Sequence, residues 1–354
     1  MEQKRYLASI IVPHHNIPGL LRRCLASIPR RDDLQVIVVD DHSDNKYIPE
    51  LRKIEEDFPR ITMLYLEMNG GGGKARNEGL RMAKGRYVLF ADADDFFNYC
   101  FRQVLDDYRD ADHDIIYFDA NSVDTDTYAN AGRATSLHQK IALYRRCPEK
   151  GMFQLRYLFG EPWCKMVRRE VIERHGIRFS ETIIHNDTRY SYLVGYYSQN
   201  AHVDPRAIYC VTDRGGSVSK CSSLDRMFAR TQVFAEATVF FQSHGIRLYG
   251  PFLYRPLTHF LAHGDMGNAK RCVDIMKSEG MSSKNIINGF ITFHMKRLTH
   301  LPKKLVDKLA RILAGQDPIC EKILTGGWKV RYDIPVCRAR FLPVLHHHYG
   351  RAAA

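Results

Sequence analysis

Four short apolar runs, each closing in a polar cluster and each followed by a stretch of helical period, constrain this chain more than any other feature. Residues 7–12 end in Pro13-His14-His15-Asn16, and residues 34–39 end in Asp40-Asp41. Residues 61–66 lead to Asn69 and Gly70-Gly71-Gly72-Gly73, and residues 87–90 run into Ala91-Asp92-Ala93-Asp94-Asp95. Between the runs, Leu20, Leu21, Cys24, Leu25 and Ile28 recur at helical spacing, with Asn16 able to cap the helix and Pro18 in its first turn. Pro49, Leu51, Ile54 and Phe58 mark a second helix, and residues 74–84 a third that stops at Gly85. Such β-α alternation with nearly all-apolar strands specifies a mostly parallel sheet covered by helices on both faces. In such a sheet the C-terminal strand ends share one edge, and ligands bind in the crevice there. The four polar clusters therefore converge on one crevice.

The last cluster is expensive to build. Carboxylates as close as Asp92, Asp94 and Asp95 repel and raise one another's pKa unless a cation sits among them. A divalent ion held there, with the rest of the chain placing a substrate against it, is the reading the pattern favours. The glycine run lacks the spacing of a dinucleotide fingerprint and the Gly-Lys-Ser/Thr ending of a P-loop. Its place before a helix suits backbone that must come close to a ligand.

Further along, a short helix is expected beyond Asn98, then a strand over residues 114–118. The polar residues 121–150 are expected to form a loop over the crevice, and residues 161–165 to precede a helix that stops at Gly176. Asn186-Asp187 should open another helix, with Tyr190, Leu193, Val194 and Tyr197 on one face. A strand over 207–211 and a loop over 213–217 follow, and from about residue 224 the pattern is helical. The expected division is a catalytic domain over 1–223 and a basic, mainly helical region over 224–354.

The net charge of +12 is unevenly spread, for residues 225–354 carry 20 Lys and Arg against 9 Asp and Glu. That region points to an anionic partner, with membrane lipid and nucleic acid both qualifying. Residues 301–313 read as a basic amphipathic helix, which can lie on an anionic bilayer or pack on its own domain. Nine cysteines without a Cys-x-x-Cys pair argue for reduced thiols in a cytosolic setting, and against a disulfide framework or a zinc knuckle. Pro13 cuts the first apolar run too short for a signal peptide, and no run approaches the ~18 residues of a membrane span.

The stretches S-I-I-V-P-H-H-N (9–16), V-I-V-V-D-D-H-S-D (36–44), N-G-G-G-G-K-A-R-N-E-G-L (69–80) and G-R-Y-V-L-F-A-D-A-D-D (85–95), in this order, resemble family 2 glycosyltransferases of the GT-A fold. Weaker matches are P-W-C-K-M-V-R-R (162–169), N-D-T-R-Y (186–190) and R-G-G-S-V-S (214–219). The resemblance implies a Rossmann-like GT-A sheet with a mainly helical C-terminal extension. It also implies an inverting transfer of sugar from a nucleotide-diphosphate donor, a UDP-sugar, to a hydroxyl of a glycan or lipid-linked acceptor, with Mn2+ or Mg2+ as cofactor. By position, Pro13 would line the base pocket, Asp41 would accept from a ring N–H of the base, and Arg76 would lie near the diphosphate. Asp92 would reach the ribose or metal, Asp94 would be the metal ligand, and Asp187 would be the general base. Read at a helix N-terminus, where the dipole favours the anion, Asp187 is expected to stay ionised near neutral pH. The resemblance further implies glycan assembly on the cytoplasmic face, with peripheral contact to anionic membrane through the C-terminal region and no nucleic acid. The chain departs from the family pattern in having His15 at a usually aromatic position, His42 where the D-D-G-S pattern has Gly, and Asn186 where an acid commonly precedes the base.

Two other classes would use the same residues differently. A nucleotidyltransferase would place a nucleoside triphosphate on the acids, but should show a richer basic phosphate-binding loop. A non-catalytic anion- or nucleic-acid-binding protein would rest on the basic C-terminal region and should interleave aromatic with basic residues.

Overall fold

The computed structural model describes residues 6–214, 223–250, 252–295 and 303–313. Residues 215–217 of the loop expected over 213–217 lie outside them. The first half alternates as its periodicity requires: β1 (Ala8–His14), α1 (Pro18–Ser27), β2 (Leu34–Asp40), α2 (Ile48–Asp57), β3 (Ile61–Tyr65), α3 (Gly71–Met82) and β4 (Tyr87–Phe90). After β5 (Phe96–Phe97) and α4 (Phe101–Asp107) come β6 (Ile115–Asp124), α5 (Thr135–Arg146), α6 (Pro148–Leu158), β7 (Lys165–Arg168), α7 (Arg169–Arg174), α8 (Thr188–Tyr197) and β8 (Ala201–Asp213). Five further helices follow: α9 (Leu224–Ser243), α10 (Tyr254–His263), α11 (Met266–Ser278), α12 (Ser283–Met295) and α13 (Lys303–Ile312).

The strands form one sheet in the order β3-β2-β1-β4-β7-β6-β8-β5. β1 to β4 pair in parallel, β7 runs antiparallel between β4 and β6, and β6 pairs with β8 in parallel. Pro13 fits within a central strand because β1 stops pairing with β4 at Ile11↔Phe90, so the ladder on that side needs no N–H from residue 13. The strand cores are sealed on both faces: Ile10, Ile11, Val12, Ile37, Val38, Val39, Tyr87 and Val88 have no exposed surface.

Several local expectations need correction. Asn16 does not cap α1. It has φ of +58° and uses its side-chain Oδ1 to accept from the Asp44 N–H at 2.8 Å, which ties the end of β1 to the loop after β2. α3 starts at Gly71, not residue 74, so three of the four glycines form its first turn. Residues 121–150 are not a loop: β6 runs on to Asp124, and α5 buries Leu137 and Ile141 one helical turn apart. That i, i+4 pair was hidden among polar neighbours. Residues 165–168 form a buried strand before the short helix α7, which ends at Gly176 with φ of +58°.

The described residues hold two apolar cores. One fills the sheet and its helices, while the other gathers α9 to α13 around Tyr254, Leu257, Phe260 and Phe290. α9 belongs to both, with Ala237 and Phe241 in the first core and Phe228 and Phe234 in the second. α13 spends its apolar face here: Leu305, Val306, Leu309 and Leu313 are buried in the second core, so that face is covered by protein and not offered to a bilayer. No helix of the described residues is long and apolar enough to cross a membrane.

Candidate active site

The parallel strands deliver their polar ends to one edge, as expected, and a buried hydrogen-bonded set fixes the first two. His14 Nδ1 lies 2.7 Å from Asp40 Oδ1, and His14 Nε2 accepts the Ile17 N–H at 3.1 Å. An accepting Nε2 leaves the proton on Nδ1, so His14 donates to Asp40. Ser43 adds its Oγ to Asp40 Oδ1 at 2.5 Å and its N–H to Oδ2 at 2.9 Å. Burial would raise Asp40, but these hydrogen bonds from His14 and Ser43 hold it below the ordinary carboxylate value. Its contribution is therefore present above about pH 4 and fades as pH falls through the lowered folded value. His14→Ala is expected to cost about 2 kcal/mol, because it strips a charged buried acceptor of a partner, and thermal unfolding at neutral pH measures it.

Asp41 anchors the glycine turn. Its Oδ1 accepts the Gly70 N–H at 2.8 Å and its Oδ2 the Gly71 N–H at 2.7 Å. A carboxylate at the start of α3 also suits the helix dipole. Gly71 has φ of +78°, which glycine adopts at little cost. His42 has φ of +58°, so the position where the family pattern has Gly is a left-handed one that histidine occupies under strain.

Arg76 joins the two halves of the site. Its NH2 donates to Asp92 Oδ1 at 2.6 Å and its NH1 to Asn186 Oδ1 at 3.0 Å. The guanidinium stands over the Phe179 ring, 5.5 Å from the centroid. One side chain on α3 thus ties the end of β4 to the residue before Asp187. Asn77 makes a second tie: its Nδ2 donates to the Phe179 carbonyl at 3.1 Å and its Oδ1 accepts the Phe179 N–H at 2.9 Å. Arg76 is paired, but it is a buried clamp and not a surface ion pair.

The three acids after β4 separate. Asp95 turns inward, 3% exposed, and accepts the Thr212 N–H at 2.7 Å. Burial and the charges of Asp92 and Asp94 hold it well above the ordinary value. The expectation that all three carboxylates share the crevice is thus corrected: Asp95 is withdrawn, and only Asp92 and Asp94 stay partly exposed. Asp94 Oδ2 accepts from Arg214 Nε at 2.9 Å, and its carbonyl accepts from Arg23 and Thr212. No group of three or more His, Cys, Asp or Glu gathers as a metal cage among the described residues.

Asp187 sits at the N-cap position of α8, yet its side chain makes no capping hydrogen bond. That leaves the carboxylate free for another task. Burial pushes its pKa up to about 6, opposed by Arg76 and reinforced by Glu161 and Asp92. It is therefore mostly ionised at neutral pH, as expected, although the surroundings act against the charge and not for it.

Sequence reasoning missed several residues here. The Tyr209 hydroxyl, wholly buried, accepts the Asp92 N–H at 2.8 Å. Asp119 falls level with Asp92 when the β6–β7 register is continued by one residue to Phe118↔Cys164 and the β4–β7 register by three to Ala91↔Cys164. It receives His138 Nδ1 at 2.8 Å. Neither follows a recognisable pattern. Lys165, by contrast, left a signal: a lysine inside the apolar run Pro-Trp-Cys-Lys-Met-Val.

A sheet edge that gathers these acids, the glycine turn and a clamped arginine belongs to the GT-A glycosyltransferase fold. Over 92% of this chain and 94% of the other, the structure superposes with TM-score 0.59 and 19% identity on S. aureus TarS 1-349, solved in complex with UDP-GlcNAc. Residues 9–176, just under half of the chain, match the model of Glycosyl transferase family 2, which identifies this stretch as a domain of that family. It is 25% identical to the Bacillus subtilis glycosyltransferase EpsJ over 252 residues, 67% of this chain and 70% of that protein. It is 32% identical over 93 residues to the poly(ribitol-phosphate) beta-glucosyltransferase of Bacillus spizizenii, a stretch covering 25% of this chain and only 15% of that enzyme.

Proposed function

We propose that the chain transfers a sugar from a nucleotide-diphosphate donor, a UDP-sugar, to a hydroxyl of a glycan or lipid-linked acceptor, with inversion at the anomeric carbon. The observation that carries this reading is the Arg76 clamp between Asp92 and Asn186, which brings the acid after β4 to the residue before Asp187. The UDP-GlcNAc complex of the structural neighbour and the polyol-phosphate glycan named for a relative support the donor and acceptor classes.

Each residue has a role in that reaction. Pro13 and the edge at Asp41 form the base pocket; Asp41 uses one lone pair on each oxygen for the glycine turn and keeps others for a ring N–H of the base. Arg76 faces the diphosphate and Asp92 the ribose. Asp187 takes the proton from the acceptor hydroxyl as its oxygen attacks the anomeric carbon opposite the leaving diphosphate. The donor set fits a small hard cation, since Mg2+-like ions take one or two carboxylates and complete their shell with water and substrate phosphate. Asp94, with Asp92 beside it, would hold Mn2+ or Mg2+, which when bound neutralises charge on the departing nucleoside diphosphate.

Thermal unfolding with Mn2+, with UDP and with both tests the proposal. Stabilisation that needs both, followed by metal-dependent hydrolysis of one UDP-sugar in a donor screen, is the expected result. Asp94→Asn should abolish the metal-dependent part of the shift while leaving the unliganded melting temperature within about two degrees. Stabilisation by polynucleotide alone would instead favour the anion-binding reading. Membrane contact is proposed through charge alone, and flotation with anionic vesicles at low and high salt tests it.

A further inference from the structure

Lys165 is 1% exposed in the middle of the sheet. Its ammonium uses all three protons: on the Phe159 carbonyl at 2.8 Å, on the Glu161 carbonyl, and on Ser191 Oγ at 3.0 Å. It also stands 3.9 Å from the centroid of the Phe159 ring. None of these partners is a carboxylate. A buried cation without an ion pair is costly, and burial draws Lys165 down to about 7. The titratable groups around it are Glu161, Asp187, Cys164 and Lys140. An apolar side chain would occupy this place at lower cost, so the function of the ammonium lies in what it holds.

It holds the start of α8. The Ser191 hydroxyl donates to the Gly160 carbonyl at 2.5 Å, so Lys165 and Ser191 together grip residues 159–161. The Ser191 N–H in turn donates to the Asp187 carbonyl at 3.0 Å, closing the first turn of α8. Lys165 is thus linked to Asp187 through one residue: it holds the Ser191 hydroxyl, and the Ser191 backbone holds the Asp187 carbonyl at the start of α8.

We propose that Lys165 is a positioning residue for Asp187: through Ser191 it fixes the first turn of α8, and with it the direction of the Asp187 carboxylate. The inference rests on the reading of Asp187 as general base. A double-mutant cycle on the full chain, with the UDP-sugar found in the donor screen, tests it. Lys165→Met is expected to lower kcat for transfer about 10–100-fold, the scale of a small misplacement of a reacting group, with donor KM and UDP affinity within about twofold. In an Asp187→Asn background the same substitution should cost less than about twofold, since residues acting as a unit are not additive.

Equal losses in both backgrounds would make Lys165 a merely structural residue and overturn the proposal, as would no loss in the wild-type background. Ser191→Ala keeps the charge and removes the link. It should lower kcat about tenfold with the same non-additivity, and it decides the question should Lys165→Met not fold. If Asp187→Asn by itself retained full transfer, that single variant would show that the base reading had failed, and the positioning role would go with it.

Discussion

Asp187→Asn is expected to lower kcat for sugar transfer by about 10²–10⁴-fold, the range of general-base catalysis, with UDP affinity unchanged. The geometry makes this sharper than a motif argument. The side chain lies at an N-cap position without capping, close to Arg76 and on the Asp92 side of the crevice. A carboxylate raised to about 6 is also near the most effective value for a base at neutral pH. With Asp187 as base the ionised form is the active one, so kcat/KM should fall about tenfold per pH unit below about 6, and this acid limb should vanish in Asp187→Asn.

Stability should move the other way. A carboxyl raised by burial is penalised in the folded state at every pH above the folded value, and the penalty disappears below the unfolded value, near 4. Asp187→Asn should therefore stabilise the protein by about 1 kcal/mol at pH 7 and by almost nothing at pH 4, after allowance for partial solvent access. Activity lost with stability gained marks a functional group; both lost together would mark a structural cap.

Gly73→Ala is expected to destabilise the protein by about 3 kcal/mol, the upper end of overpacking costs. A Cβ at Gly73 would lie 2.1 Å from the Ser180 carbonyl oxygen and 3.1 Å from Asn186 Cβ. The first obstacle is backbone, so α3 and the segment leading to Asp187 would have to part. Transfer activity should fall with stability, because the same displacement pulls Asn186 from Arg76. Gly19→Ala is the control: nothing lies within 4 Å of its Cβ in α1, and it should stabilise by about 0.5–1 kcal/mol. Thermal unfolding of the two variants in one buffer settles both, and a Gly73→Ala melting temperature within a degree of wild type would refute the close-approach account.

The parts of the site legible in the sequence were those governed by local rules. An apolar β-branched run must be buried and a strand must end, so the polar clusters at Asp40, Asp41, Asp92 and Asp94 announced the edge. Asn186-Asp187 announced a helix start. What stayed hidden depended on partners far away in the chain. Nothing local says that Asp95 turns inward to Thr212, that Asp41 holds Gly70 and Gly71, or that α13 hides its apolar face in its own domain. The strand over residues 165–168 was read past because its four residues acquire β character only between β4 and β6.

The amino-acid sequence alone determined the class of fold, the family resemblance and the edge where the polar strand ends gather, because burial of apolar period and the direction of parallel strands are local and additive. Which acid faces solvent, which is clamped by Arg76 and which is raised toward neutrality were decided only by tertiary structure. Charge and hydrogen bonding depend on distances of a few ångströms between residues far apart in the chain, 16 positions for Arg76 and Asp92 and 117 for Asp95 and Thr212.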